Sequence, residues 1–191
     1  MKTFHVLSLG LAAGLQVAAC SSSTSSSGGA SLPTAPASQT FESMSASEAQ
    51  TYCTQLDAYT SSRISPDETK RATCTFAAAF STIGATSDAD AQAKCKAAYD
   101  ECLATPAEPS SGDPCANFAA KAASCKGSGL TVGEYNACVD EQVGFIKALA
   151  GANACSEVKA GDSPSTDPPT DKPPSKCDVV DTKCPGLNRD G

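Results

Sequence analysis

The chain has a single histidine, His5, and it lies inside the apolar N-terminal run. Once that run is removed as an export signal, no imidazole is left. Ser-His-Asp and Cys-His nucleophile systems, His-bound zinc and His-ligated haem are thereby excluded. Tryptophan is absent, and beyond Met1 the only thioether is Met44. Eleven cysteines are present, yet no two have C-x-x-C spacing, which excludes thioredoxin-like, c-type haem and zinc-ribbon motifs. Cations are few as well: 14 Lys and Arg face 21 Asp and Glu, a net charge of −7 that becomes one unit more negative when Lys2 is lost. A nucleic-acid partner is not expected of so acidic a chain.

What is present begins with Met1–Ala19, where Lys2 precedes an apolar or small-residue run from Val6. The run is too short to span a bilayer and reads as a signal peptide. It ends in Val17-Ala18-Ala19-Cys20. This tetrad resembles the lipobox of bacterial lipoproteins, a branched apolar residue and two small ones before an acylated cysteine. The resemblance implies cleavage between Ala19 and Cys20, acyl chains such as palmitate on Cys20, and anchoring in a membrane through them. Ser21, in place of Asp, resembles the outer-membrane sorting pattern; the alternative is ordinary secretory cleavage and a soluble secreted product. Lipidation of Cys20 would also account for the odd cysteine count, leaving ten for disulfides. Residues 20–43 follow as an expected disordered tether, rich in Ser and Gly with Leu32 as an apolar exception up to Gln39.

Residues 44–158 predict an all-α domain of about five helices. Capping boxes at Ser45/Glu48, Ser65/Glu68 and Thr131/Glu134 mark three starts, the second reinforced by Pro66. Ser87 with Asp88 and Asp90 marks another, and Asp113-Pro114 the remaining one. Gly84, Gly127 and Gly151 mark stops. Three helices fall in 44–104 and two in 113–158, in one bundle or two, joined by Thr105–Gly112. A Pro-rich linker is expected over 159–176 and a small Cys-containing tail over 177–191.

Apolar spacing assigns the faces to be buried. Ala49, Tyr52, Cys53, Leu56 and Tyr59 or Thr60 form one stripe; Tyr135, Cys138, Val139, Gln142, Val143, Ile146 and Leu149 form another. In the second helix Ala72, Phe76, Ala79, Phe80 and Ile83 predict a core stripe with Cys74 opposite, and a central position contacted from two sides. Cys95, Tyr99 and Cys102 share a face of the third. Because alanine buries little area, a core of this kind is marginal without cross-links. Hairpin geometry favours Cys74 with Cys95, Cys53 with Cys102 or a cysteine of the second half, and Cys125–Cys138 nested within Cys115–Cys155. Cys177 and Cys184 would close a loop of their own or staple the tail to the bundle.

No cofactor, metal or catalytic group is expected. Asp88-Ala89-Asp90 begins like a calcium loop, but Ala93 stands at the sixth position and Tyr99 at the twelfth. Asp57, Glu68, Asp100, Glu101, Glu134, Asp140 and Glu141 are available for acid-base work but read as solvated charges on helix starts and polar faces. Lipobox, tether and alanine-rich cysteine-stapled helices together resemble uncharacterised small cysteine-rich bacterial lipoproteins. The expectation is a non-enzymatic binding or structural module in the cell envelope, at the outer membrane, meeting a protein or surface ligand. The alternatives are a secreted-protease inhibitor using the Cys177–Cys184 loop, and a carboxylate-based hydrolase.

Overall fold

A computed structural model describes residues 30–106, 113–152, 155–156, 158–160 and 175–187. The expected signal, Cys20 with its expected acylation, the first part of the expected tether, most of the Pro-rich stretch and the end of the tail lie outside these residues. Within them the chain is all-α: a 3₁₀ turn at Phe41–Ser43 leads into α1 (Ala46–Arg63), α2 (Pro66–Phe80), α3 (Asp88–Ala104), α4 (Phe118–Ser124), α5 (Val132–Gly151) and α6 (Cys177–Lys183).

The reciprocal Ser/Thr–Glu hydrogen bonds of the capping boxes open α1, α2 and α5 where the sequence predicts, and the Ser87 hydroxyl accepts from Asp90 N at the start of α3. Each such cap satisfies N–H groups that the first turn leaves without a partner, typically contributing about 1 kcal/mol. The expected start at Asp113-Pro114 is displaced: α4 begins at Phe118 after successive turns. Those turns carry Asp113, whose side chain accepts from Cys115 N at 2.8 Å, and the carbonyl of Cys115 accepts from Phe118 N. α6 was not expected at all.

Two sets of packing form the body. α2 lies against both α3 and α5, as its central position required, while α1 packs on α4 and α6 on α5. The halves 44–104 and 113–158 therefore interleave in one bundle. Of the stripe expected on α2 only Ala72 is fully buried, with Phe76 and Ala79 half-buried, and the buried face centres on the Cys74 side. Ala72, Cys74, Thr75 and Ala78 are buried, whereas Phe80 and Ile83 are 40% and 66% exposed. Its neighbours approach on small side chains, and Thr75 Oγ1 donates to the Leu149 carbonyl at 3.2 Å. The half-buried Phe76 and the more exposed Phe80 pair with each other edge-to-face, centroids 5.0 Å apart.

The tether boundary also moves. Residues 37–41 run antiparallel to residues 130–133, with Phe41 N donating to the Leu130 carbonyl, Val132 N to Gln39 and Gly133 N to Ala37. A Cβ at Gly133 would meet the Ala37 oxygen at 3.0 Å, so glycine permits the close approach. Phe41, 1% exposed, sits edge-to-face with Tyr52, Phe118 and Tyr135 at 5.5, 6.1 and 5.3 Å between centroids. Leu32 packs against the same core. The folded domain thus includes residues from Leu32 on, ahead of the boundary expected at residue 44, because one aromatic ring at position 41 completes a core that alanines cannot fill.

All ten candidate cysteines are paired: Cys53–Cys115, Cys74–Cys102, Cys95–Cys155, Cys125–Cys184 and Cys138–Cys177. Cys53 finds a partner in the second half, one of the two expected outcomes. Cys74 pairs with α3 but at Cys102, not Cys95. The connection after α2 folds back beside α3, where Lys94 Nζ donates to the Gly84 carbonyl and Thr86 N to Asp90. The first turns of α3 consequently project past α2, placing Cys102 level with Cys74. Cys95 is left facing the chain that follows α5, where Gln92 donates to the Ser156 carbonyl and Ala160 N to Asp88.

The expected Cys125–Cys138 and Cys115–Cys155 bridges are not formed. Gly127 and Gly129, at φ 74° and 62°, turn the chain between α4 and α5 without a staple. Cys125 and Cys138 instead hold the two ends of α6, so the tail cysteines clamp that helix across α4 and α5. The separate 177–191 unit is accordingly corrected to an integral part of the bundle up to Leu187, which is buried.

Candidate functional site

The segment before Phe41 crosses the first turns of α1 as a strap pinned at both ends. Thr34 N donates to Gln55 Oε1 at 3.3 Å at one end, and the buried Phe41 ring holds the other. A turn in which Gln39 N donates to the Pro36 carbonyl shapes the middle. Between strap and helix lies an open groove of about 320 Å³, lined by Thr34, Ala35, Pro36 and Gln39 from the strap and by Met44, Ser47, Glu48, Thr51, Tyr52 and Gln55 from α1 and its entry.

Its electrostatics are simple. Glu48 is the single charged residue lining it. The Ser45 hydroxyl and backbone N–H donate to Glu48 Oε2 at 2.6 and 2.7 Å and hold the carboxyl below the usual carboxylate range. Thr51 Oγ1 donates its proton to the Ser47 carbonyl at 2.9 Å, so its oxygen is presented as an acceptor. Tyr52 contributes ring surface only: its hydroxyl donates to Asn136 Oδ1 at 2.5 Å, and burial, with Tyr135 nearby, pushes its pKa up.

The carboxylates considered for acid-base chemistry are not brought together in this groove. Glu68 closes the α2 capping box, Asp100 pairs with Lys96 at 2.8 Å, Asp140 accepts from the Tyr59 hydroxyl, and Glu141 accepts from Lys176 N. Glu101 is exposed on α3. Asp57 has its pKa raised by burial and by the charge of Asp113. Asp90 accepts from Thr86 N and pairs with Lys94 at 3.0 Å, the helix-entry role expected of it. Among the described residues no group of three or more His, Cys, Asp or Glu is placed to hold a metal ion. The loop proposed for protease inhibition does not exist as such, because Cys177 and Cys184 each bond to a different helix of the bundle.

Glu134 joins two functions in one carboxylate, since it closes the α5 capping box and pairs with Lys183 of α6 at 2.7 Å. The Lys183 hydrogen bond, then that from Thr131 N–H, lowers its pKa from 4.5. A carboxylate with a depressed folded pKa stabilises the fold above its unfolded value and loses that contribution as pH falls through the folded one. The melting temperature is therefore expected to fall with pH below about 4.5, and Glu134→Gln to flatten part of that decline; thermal melts of both proteins across pH 2.5–7 check it, reading on the order of a few degrees.

None of the groove residues was singled out from the sequence as a binding group, since Thr34 and Gln39 share the tether's composition and Ser47, Thr51 and Gln55 read as ordinary polar positions of a helix. A usable signal was Phe41 standing four residues before the Ser45 cap.

Compared with known proteins, the chain matches no family model, no curated protein and no solved structure.

Proposed function

We propose that this chain is a lipid-anchored cell-envelope protein, tethered at the outer membrane through Cys20, whose disulfide-stapled bundle acts as a non-catalytic binding module. The observation that carries this reading is the cysteine arithmetic. Ten of the eleven cysteines are consumed in five intrachain bonds, so Cys20 has no cysteine of its own chain to pair with, and it stands at the end of a lipobox-like tetrad. Extensive disulfide bonding supports an oxidising, exported location. Among the described residues no helix is long and apolar enough to cross a membrane, so attachment in this reading rests on the acyl chains.

A cross-linked bundle suits presentation of a preformed surface, because a groove held by a pinned strap needs little ordering when a ligand arrives. Metabolic labelling with an alkynyl fatty acid in a lipoprotein-processing bacterium tests the anchor. Wild type is expected to take the label and sediment with membranes, and Cys20→Ser to lose the label and become soluble. Unlabelled wild type would remove the lipid anchor and leave a soluble secreted protein, and undiminished label in Cys20→Ser would remove Cys20 as its site.

A further inference from the structure

We infer that the groove between the strap and α1 binds a short neutral oligosaccharide, of two or three sugar units, from an envelope glycan. The inference deepens the binding-module reading and rests on it.

The volume of about 320 Å³ stands at the lower end of small-ligand sites. The lining then selects the chemistry. No cation lines the groove, and its one charged group is the ionised Glu48, so phosphorylated or carboxylated ligands have no counter-charge and meet repulsion. A wholly apolar ligand would strip water from Gln39, Ser47, Thr51 and Gln55 without replacing it.

What matches is a ligand whose groups both donate and accept. Carboxamides and hydroxyls do both, and so do sugar hydroxyls. The Gln39 carboxamide is set at the groove wall by a backbone bonded to Pro36 and Val132, which leaves its side chain for the ligand. Glu48 Oε2 takes both Ser45 bonds, leaving Oε1 to accept a sugar hydroxyl in a charge-assisted hydrogen bond. Ala35, Pro36 and Met44 supply apolar surface for the C–H face of a pyranose. A neutral peptide fits less well. Its affinity would come from an apolar side-chain pocket or a strand edge, and residues 37–41 of the strap already pair with residues 130–133.

The test is a titration of the ¹⁵N-labelled full mature chain, disulfides intact and Cys20→Ser for solubility. The probes are the β-1,4-linked trimer of N-acetylglucosamine, maltotriose, and a capped Ala/Gly/Ser hexapeptide as the neutral non-sugar. Saturable amide shifts confined to residues 34–39 and 45–55 with at least one trisaccharide, at Kd of about millimolar or tighter, are expected. Gln39→Leu/Thr51→Val is expected to weaken that binding by about tenfold or more, the equivalent of losing one or two hydrogen bonds, while its remaining spectrum stays that of the folded chain. No shifts with either sugar, shifts centred elsewhere, or unchanged affinity in the double variant overturn the inference. Preference for the hexapeptide in the groove also overturns it, yet leaves a binding module standing. Loss of the lipid anchor would show in the fatty-acid labelling and not here, so the two failures are separable.

Discussion

Replacing Phe41 with alanine is expected to cost about 3–5 kcal/mol of stability, the range for truncating a fully buried aromatic. The residue lies in a stretch with tether-like composition, yet three other rings surround it and its backbone N–H is bonded to Leu130. Alanine would leave a cavity that Tyr52, Phe118 and Tyr135 cannot close without breaking other contacts, since Tyr52 is fixed through its hydroxyl to Asn136. Each edge-to-face pair lost adds about 0.5–1.5 kcal/mol beyond area burial. Urea denaturation of the oxidised protein measures the difference. A change below about 0.5 kcal/mol, normal for an unremarkable surface site, would mean that the strap is not docked as described, and the groove would go with it.

Removing the Cys95–Cys155 bond through Cys95→Ser/Cys155→Ser is expected to cost about 2–5 kcal/mol. The bond closes a separation of 60 residues, for which the chain-entropy relation gives on the order of 4 kcal/mol. It also tethers residues 155–156 and 158–160 along the projecting end of α3, where hydrogen bonds from Gln92 to the Ser156 carbonyl and from Ala160 N to Asp88 lie at the exposed surface. Cys74–Cys102 closes a separation of only 28 residues, and its removal is expected to cost slightly less on the same relation. Such losses do not add, because the Cys95–Cys155 loop overlaps those of all four other bonds. Calorimetry of the two double variants against wild type gives both the size and the order.

The contrast between these sites shows where sequence reasoning reaches. Helix entries were legible because a capping box is written in four consecutive residues: Ser45/Glu48, Ser65/Glu68 and Thr131/Glu134 all form. The buried stripes of α1 and α5 were legible for the same local reason, with Tyr52, Cys53 and Tyr59 on one and Tyr135, Cys138, Val139, Val143 and Leu149 on the other. The buried face of α2 was legible only in part, because periodicity reports which residues share a face but not which face wins. Its alanine, cysteine and threonine side met two helices, and Phe80 and Ile83 were left outside.

Disulfide pairing failed at a longer range. It depends on how far one helix projects past another, and nothing near Cys95 or Cys102 encodes that offset. α6 escaped notice because its N-terminus has no side-chain cap and only seven residues follow. Its stability comes from bonds at its two ends to Cys138 and Cys125, not from its own pattern. The groove was invisible for a related reason, since it exists only once Phe41 draws the strap across α1.

Interleaved disulfides that weld the two halves and the tail into one body are the central claim, and non-reducing peptide mapping with free thiols blocked tests it most directly. Trypsin leaves each of the ten cysteines on its own peptide except Cys102 and Cys115, which acid cleavage at Asp113–Pro114 separates. The predicted result is five linked pairs: Cys53–Cys115, Cys74–Cys102, Cys95–Cys155, Cys125–Cys184 and Cys138–Cys177. A Cys177–Cys184 or Cys125–Cys138 linkage would contradict the account, because α6 would then be free of the bundle.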